Sequence, residues 1–230
     1  MFYLFHHMPK CGGTSFTAFL RSLFTVHADY VGADHLQQPK VFEAFKQSPL
    51  VLGKLKRTDC LAGHYNLGGI HLGERYPDLE RRQHRKFSIL REPFEAASSG
   101  IRYGMEQGWI PADLSPDEQQ KLLLKRANYF ARTFGVTTRD EVRALFERYW
   151  FIAPLDRMEH VMRVLEAETG KQGTRPQVLN TTARPASEAP SQALVEAFRE
   201  QSDLDYLLYD LAQLRFGRFS ARRLDPVVSA

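Results

Sequence analysis

Phe2-Tyr3-Leu4-Phe5, followed closely by Pro9-Lys10-Cys11-Gly12-Gly13-Thr14-Ser15, is the stretch whose reading decides this chain. The apolar run predicts a strand and the two glycines a tight turn. Phe16, Phe19, Leu20, Leu23 and Phe24, spaced at i, i+3, i+4, i+7 and i+8, predict a helix. A glycine turn that opens a helix N-terminus is an anion site. Backbone N–H groups point outward, the helix dipole adds partial positive charge, and small residues let a phosphate approach the main chain. Lys10 adds a mobile full charge, and Thr14 and Ser15 add hydroxyl donors. The lysine precedes the glycines, so this is not the G-x-x-x-x-G-K-[ST] loop of ATP and GTP hydrolysis. The reading turns instead to another user of nucleotide phosphates.

A second anion site is written in Ile89-Leu90-Arg91-Glu92-Pro93-Phe94-Glu95-Ala96-Ala97-Ser98-Ser99. Phe87 to Leu90 predicts a buried strand that delivers Arg91 at its carboxyl end, where open α/β sheets bind ligands. Pro93 fits the first turn of a helix, and Ser99 lies about two helical turns beyond Arg91. A planar guanidinium and a nearby hydroxyl suit phosphate. The competing reading pairs Arg91 with Glu92 or Glu95 and leaves Ser98 and Ser99 as small packing residues. Two anion sites from two strand ends suit a nucleotide phosphorylated at both its 5′ and 3′ positions.

These motifs resemble those of sulfotransferases. Pro9 to Phe16 is similar to their 5′-phosphosulfate loop, and Leu90-Arg91-Glu92-Pro93 with Ser99 to their 3′-phosphate motif. The likeness is greatest to the branch holding the 2-O-sulfotransferases of heparan and dermatan sulfate and their bacterial relatives. It extends through Gly63-His64, Trp150 to Leu165, and Leu204 to Phe216. The resemblance implies a P-loop-like α/β domain with a mostly parallel central sheet flanked by helices. It implies sulfuryl transfer from 3′-phosphoadenosine 5′-phosphosulfate (PAPS) to an acceptor hydroxyl, with a carbohydrate as the acceptor class. Lys10, Cys11, Gly12, Gly13, Thr14 and Ser15 would then hold the 5′-phosphosulfate, and Arg91 and Ser99 the 3′-phosphate. His64 would be the general base and Lys10 would stabilise the leaving group. Asn180, Thr181, Thr182 and Arg184 lie where relatives place a late cofactor-binding loop; Thr181 and Arg184 are its binding candidates. Ala62 stands where relatives carry a second histidine, and Ala96 where arginine is frequent.

Working outward, the 230 residues are enough for one well-buried domain spanning 1–230. A net charge of +4 and a pI near 9.1 describe a modestly basic surface. No zinc-finger spacing, RNP sequence or heptad repeat points to nucleic acid. Cys11 and Cys60 have neither metal nor disulfide spacing, and a reduced compartment is expected. No run of about 18 apolar residues occurs, and Met1 leads straight into the first strand. The expectation is a soluble, cytoplasmic protein without a membrane anchor. No acidic cluster lies beside either phosphate motif, and sulfate carries less charge than a terminal phosphate, so no metal is expected to be required. His6 and His7 should face opposite ways on a strand, one packed and one near the acceptor. Tyr103 and Trp109 are either a sugar-lining pair or ordinary packing. Glu80 to Lys86 reads as a solvated connector. Ser115-Pro116-Asp117-Glu118 reads as a capping box, Thr138 or Asp140 as a cap, Gly170 as a helix stop, and 171–190 as a long loop. A small-molecule kinase and a non-catalytic binder of anionic glycans are the alternative functions.

Overall fold

Strand β1 (Tyr3–His6) occupies the centre of a five-stranded sheet with β2 (Thr25–Asp29), β3 (Asp59–Gly63), β4 (Arg85–Leu90) and β5 (Phe151–Pro154). The order is β2-β3-β1-β4-β5 and every pairing is parallel. The structure, a computed structural model, describes residues 1–31, 38–79, 84–176 and 190–224. Because β1 is flanked by β3 on one side and β4 on the other, the chain changes direction across the sheet at β1. A crevice at the carboxyl ends of the strands, at such a switch point, is where open α/β sheets place ligands.

The pleat sends alternate side chains to opposite faces, and both faces are dry. Tyr3, Phe5, Phe87, Ile89, Phe151 and Ala153 pack on one face against helices α1 (Gly13–Leu23), α8 (Met158–Thr169) and α10 (Asp203–Leu224). The rings of Phe5, Phe87 and Phe151 follow one another across three strands at 5.4 and 5.2 Å. On the other face, Phe2, Leu4 and Leu61 pack with Tyr65, Tyr76 and Leu79, while Leu90 and Ile152 pack with Phe130, Val142, Leu145 and Leu208. The remaining helices are α2 (Pro39–Gln47), α3 (Leu72–Arg75), α4 (Pro93–Glu106), α5 (Pro116–Leu124), α6 (Tyr129–Phe134), α7 (Arg139–Arg148) and α9 (Gln192–Gln201).

Local chemistry sets the ends of these elements. Ser115 and Glu118 form a reciprocal capping box on α5, and Thr138 with Glu141 forms another on α7. Gly170 stops α8 in the left-handed conformation at φ 67°. Two expectations are corrected. Strand β2 is additional to the expected elements. The expected solvated connector ends early, because Arg85 and Lys86 already belong to β4 and Lys86 is buried. β2 is held from its far end: Asp29 takes a two-pronged ion pair from Arg75 (Nε–Oδ2 and Nη2–Oδ1, both 2.7 Å) and a 2.7 Å bond from the Tyr76 hydroxyl. Such a buried pair is costly to break, on the order of 3–5 kcal/mol when one partner is removed. None of the described helices is long and apolar enough to cross a membrane.

Candidate functional site

The chain leaves β1 through His7, Met8 and Pro9 and turns sharply into α1. Lys10 and Gly12 both take left-handed backbone conformations, with φ 63° and 76°, and the Cys11 amide closes the turn on the Met8 carbonyl at 3.3 Å. Helix α1 begins without a side-chain cap, and its first intrahelical bond runs from the Phe16 amide to the Gly12 carbonyl at 3.2 Å. The amides of Gly12, Gly13 and Thr14 therefore precede the helical ladder and have no backbone acceptor among the described residues. Gly12 and Thr14 are exposed and Ser15 is half-buried, so a ligand can reach this end of the helix. A helix N-terminus without a side-chain cap leaves backbone N–H groups and the positive end of the dipole at this turn.

Not every residue of the predicted loop offers its side chain. Cys11 is buried in the core on the second sheet face, and its Sγ accepts the Arg91 amide at 3.2 Å. Burial pushes its thiol up to about 12, so it stays protonated. That contact joins the two predicted anion motifs: Arg91 follows β4, the strand paired with β1, and its backbone touches the loop. The Arg91 side chain meets Glu95 at 3.2 Å, one helical turn on, the contact foreseen by the competing reading. Lys10 lies with Nζ 3.9 Å from the centre of the Tyr103 ring. Its pKa is lowered, chiefly by burial; Glu106 opposes the shift, and the charges of Arg91 and Arg102 add to it. Lys10, Arg91 and Arg102 thus share one electrostatic neighbourhood at the carboxyl ends of β1 and β4. Ser99 is buried on α4. Thr181 and Arg184, with Asn180 and Thr182, fall outside the described residues.

On the opposite flank of the loop, His64 follows β3. It is half-buried, and its Nε2 is fully buried with no hydrogen-bond partner among the described residues. Burial lowers its pKa to about 4, so the ring is neutral at pH 7. Two neighbours surround it. The His7 ring lies 4.4 Å away and the Tyr30 ring 4.8 Å away, centre to centre. His7 Nδ1 is 3.2 Å from the Tyr30 hydroxyl. As the alternation on β1 requires, His6 goes to the other face, where its Nδ1 is 2.7 Å from the Tyr149 hydroxyl and burial lowers its pKa to about 3. His7 is thus the histidine of the pair that reaches the site. Tyr30 has no sequence signal, because it follows an edge strand and is brought in only by the tertiary fold.

Near the loop, Tyr103 and Trp109 form a T-shaped pair at 5.5 Å, 37% and 54% exposed. The Trp109 amide donates to the Gly104 carbonyl at 2.8 Å, which folds the end of α4 back and sets the indole beside Tyr103.

No protein-family model matches the chain, and no curated protein is similar to it in sequence. Among solved structures, a sulfotransferase from Alicyclobacillus acidocaldarius aligns over 92% of this chain and 96% of its own, at 13% identity and a TM-score of 0.51. The mouse sulfotransferase SULT7A1 complexed with PAP aligns over 99% of this chain and 85% of its own, at 12% identity and a TM-score of 0.37. The first likeness establishes the fold: a parallel α/β sheet covered by helices, in the arrangement of a sulfotransferase.

Proposed function

We propose that this chain transfers a sulfuryl group from 3′-phosphoadenosine 5′-phosphosulfate to an acceptor hydroxyl. The observation that carries the reading is the convergence, at the carboxyl ends of three adjacent strands, of an uncapped helix N-terminus, two cations and a neutral imidazole. The amides of Gly12 to Ser15 with Lys10 would hold the 5′ end of the donor, and Arg91 with Ser99 its 3′-phosphate. When bound, such a donor supplies a sulfuryl group whose bond to the 5′-phosphate breaks as the acceptor oxygen attacks. His64 takes the acceptor's hydroxyl proton on its neutral imidazole. Its depressed pKa keeps it unprotonated, and an anion held nearby favours the imidazolium once the proton arrives. Lys10 leaves the Tyr103 ring and neutralises the charge that grows on the leaving oxygen. Positioned donors of this kind contribute on the order of 10²–10³ in rate, and a general base roughly 10²–10⁴.

Two aromatic residues support a carbohydrate as the acceptor class. Tyr103 and Trp109 offer aromatic faces with polar edges beside Lys10, the arrangement on which a sugar ring can lie. The finer placement, with the 2-O-sulfotransferases, is supported by Gly63-His64 and by the wording of the two phosphate motifs.

The test is thermal unfolding with 3′-phosphoadenosine 5′-phosphate in the presence of a metal chelator. At a hundredfold excess over Kd, binding adds about 2.7 kcal/mol, which in a chain of this size raises Tm by roughly 5–10 °C. Stabilisation by Mg-ATP in its place would sink the reading in favour of a kinase. Nucleotide binding without transfer to any sugar hydroxyl would favour a non-catalytic binder.

A further inference from the structure

The sulfuryl-transfer reading gives His64 a chemical role and leaves its neighbour without one. His6 stands opposite Gly63 in the β1–β3 ladder, and the ladder continues with the His7 amide donating to the Gly63 carbonyl at 3.0 Å. His7 and His64 therefore leave adjacent strands side by side. The His7 ring is confined on several sides. Phe5 stacks on it at 5.2 Å with 12° between the ring planes, the Tyr30 hydroxyl is bonded to Nδ1, and His64 lies at 4.4 Å. Nε2 is pressed against the first residue of α1: a methyl group on Gly13 would lie 1.7 Å from it. His7 thus touches both the opening of the anion cradle and the base.

General bases are usually oriented by a third group, most often a carboxylate. Among the described residues no carboxylate takes that place. The charges that influence His7 are those of His64 and His6, and burial alone accounts for the shift at His64. Tyr30, whose hydroxyl burial pushes up to about 12, responds to Arg21 and Cys60 and lies near the Thr17 hydroxyl. Ala62, which shares a face of β3 with His64, is buried in the core and has no polar atom to offer.

We propose, resting on the transfer reading above, that His7 is a positioning residue: fixed between Tyr30 and Gly13, its ring holds the His64 imidazole at the amino end of α1. A neutral imidazole in place of a carboxylate orients the base without stabilising its protonated form. His64 then remains ready to accept a proton across the physiological range, and its imidazolium is favoured only when the anionic donor is present.

The experiment combines His7→Ala, His7→Asn and Tyr30→Phe with NMR titration of the histidine rings in the ligand-free protein and steady-state kinetics. In the parent protein His64 should titrate at about 4. Removing the His7 ring admits water, and the midpoint should rise by about one pH unit or more towards its ordinary value. With the base misplaced, kcat should fall roughly 10–100-fold, the acid limb of its pH profile should move with the NMR midpoint, and affinity for 3′-phosphoadenosine 5′-phosphate should change little. His7→Asn keeps a donor near the Tyr30 hydroxyl and should recover part of the loss. Tyr30→Phe removes one oxygen and should act in the same direction as His7→Ala by a smaller factor, so it carries the test if His7→Ala does not fold. An unmoved His64 midpoint with kcat within about twofold of the parent overturns the proposal while leaving sulfuryl transfer intact. A moved midpoint in a protein that transfers nothing leaves the positioning in place and removes the transfer reading.

Discussion

Gly13→Ala tests the contact on which the geometry of the site rests, and it needs no assumption about function. An ideal Cβ at this position lies 1.7 Å from His7 Nε2, 2.1 Å from Cδ2 and 2.4 Å from Cε1. Carbon atoms in contact sit about 3.5–4.0 Å apart, so the ring must retreat by roughly 1.5–2 Å. His64 at 4.4 Å, Phe5 at 5.2 Å and Tyr30 at 5.5 Å close the ways out. Overpacking of this kind costs about 1–3 kcal/mol, and losing the Tyr30 hydrogen bond about 1 kcal/mol more. Against this, alanine is the better helix former by up to about 1 kcal/mol. The net is a loss of about 2 kcal/mol, or a Tm lower by roughly 4–8 °C. In a His7→Ala background the obstruction is gone and only the propensity gain remains, so the same substitution should become neutral or stabilising. Urea denaturation of the parent, both single variants and the double variant gives the coupling directly, with about 2–3 kcal/mol expected. A coupling below about 0.5 kcal/mol would mean that the ring does not sit against Gly13, and the account of the site would fail with it.

Two further outcomes follow from the charges. Tyr103→Leu removes the ring over which Lys10 rests, an interaction of about 0.5–1 kcal/mol; with the resting position weakened, calorimetry should show about 2–5-fold tighter binding of 3′-phosphoadenosine 5′-phosphate, whereas weaker binding would show that Tyr103 itself holds the ligand. Acid should destabilise the fold through its buried histidines. The folded pKa values of His6 and His64 are depressed to about 3 and about 4, and that of His7 is also lowered, all chiefly by burial. Their contribution is complete above the unfolded value near 6.5 and is lost as pH falls towards the folded values. Asp205 runs the other way: burial raises it to about 7 against backbone amide hydrogen bonds and the charge of Arg132, so its contribution is complete below about 3.8 and lost as pH rises through 7. Three protons against one leave a net of about two, so stability should climb by on the order of 2 kcal/mol per pH unit between about pH 4.5 and 6. Urea midpoints that stay flat over this range would show the three imidazoles already charged in the folded protein.

The parts legible in the sequence are those where local pattern and tertiary role coincide. Phe16, Phe19, Leu20 and Leu23 announce α1 because one face of it meets the sheet, and Gly12 and Gly13 announce its opening because the chain must turn there. Arg91 is legible because an apolar strand points to it. β2 is not, because it is an edge strand with little alternation: Thr25 is exposed, Val26 and His27 are half-buried, and only Asp29 is buried. What fixes it is Arg75, which lies 46 residues further along. Lys86 misleads for a different reason. It belongs to a charged run, but its chain lies in the sheet with Nζ 5.6 Å from the centre of the Tyr149 ring. Alternation placed His6 and His7 on opposite faces without saying which face was which. That depended on the pairing of β1 with β3, and so on contacts distant in sequence.

Arg91 carries the sharpest tension between the two readings of the sequence, since it does pair with Glu95. The size of that contact leaves room for both. A half-exposed i, i+4 pair with a single 3.2 Å contact is worth well under 1 kcal/mol. A guanidinium meeting phosphate through two charge-assisted hydrogen bonds is stronger and more directional. Lys10 is in a similar state, resting on an aromatic ring with Glu106 in range. Both cations occupy weak positions from which a doubly phosphorylated ligand can draw them, and burial and mutual repulsion already disfavour the charge on Lys10. If an anion binds at the start of α1 as proposed, it would gain more from these two residues than their present partners lose. In the proposed reading the ion pair at Glu95 would be a resting place for Arg91 that keeps the guanidinium beside the loop until a ligand arrives.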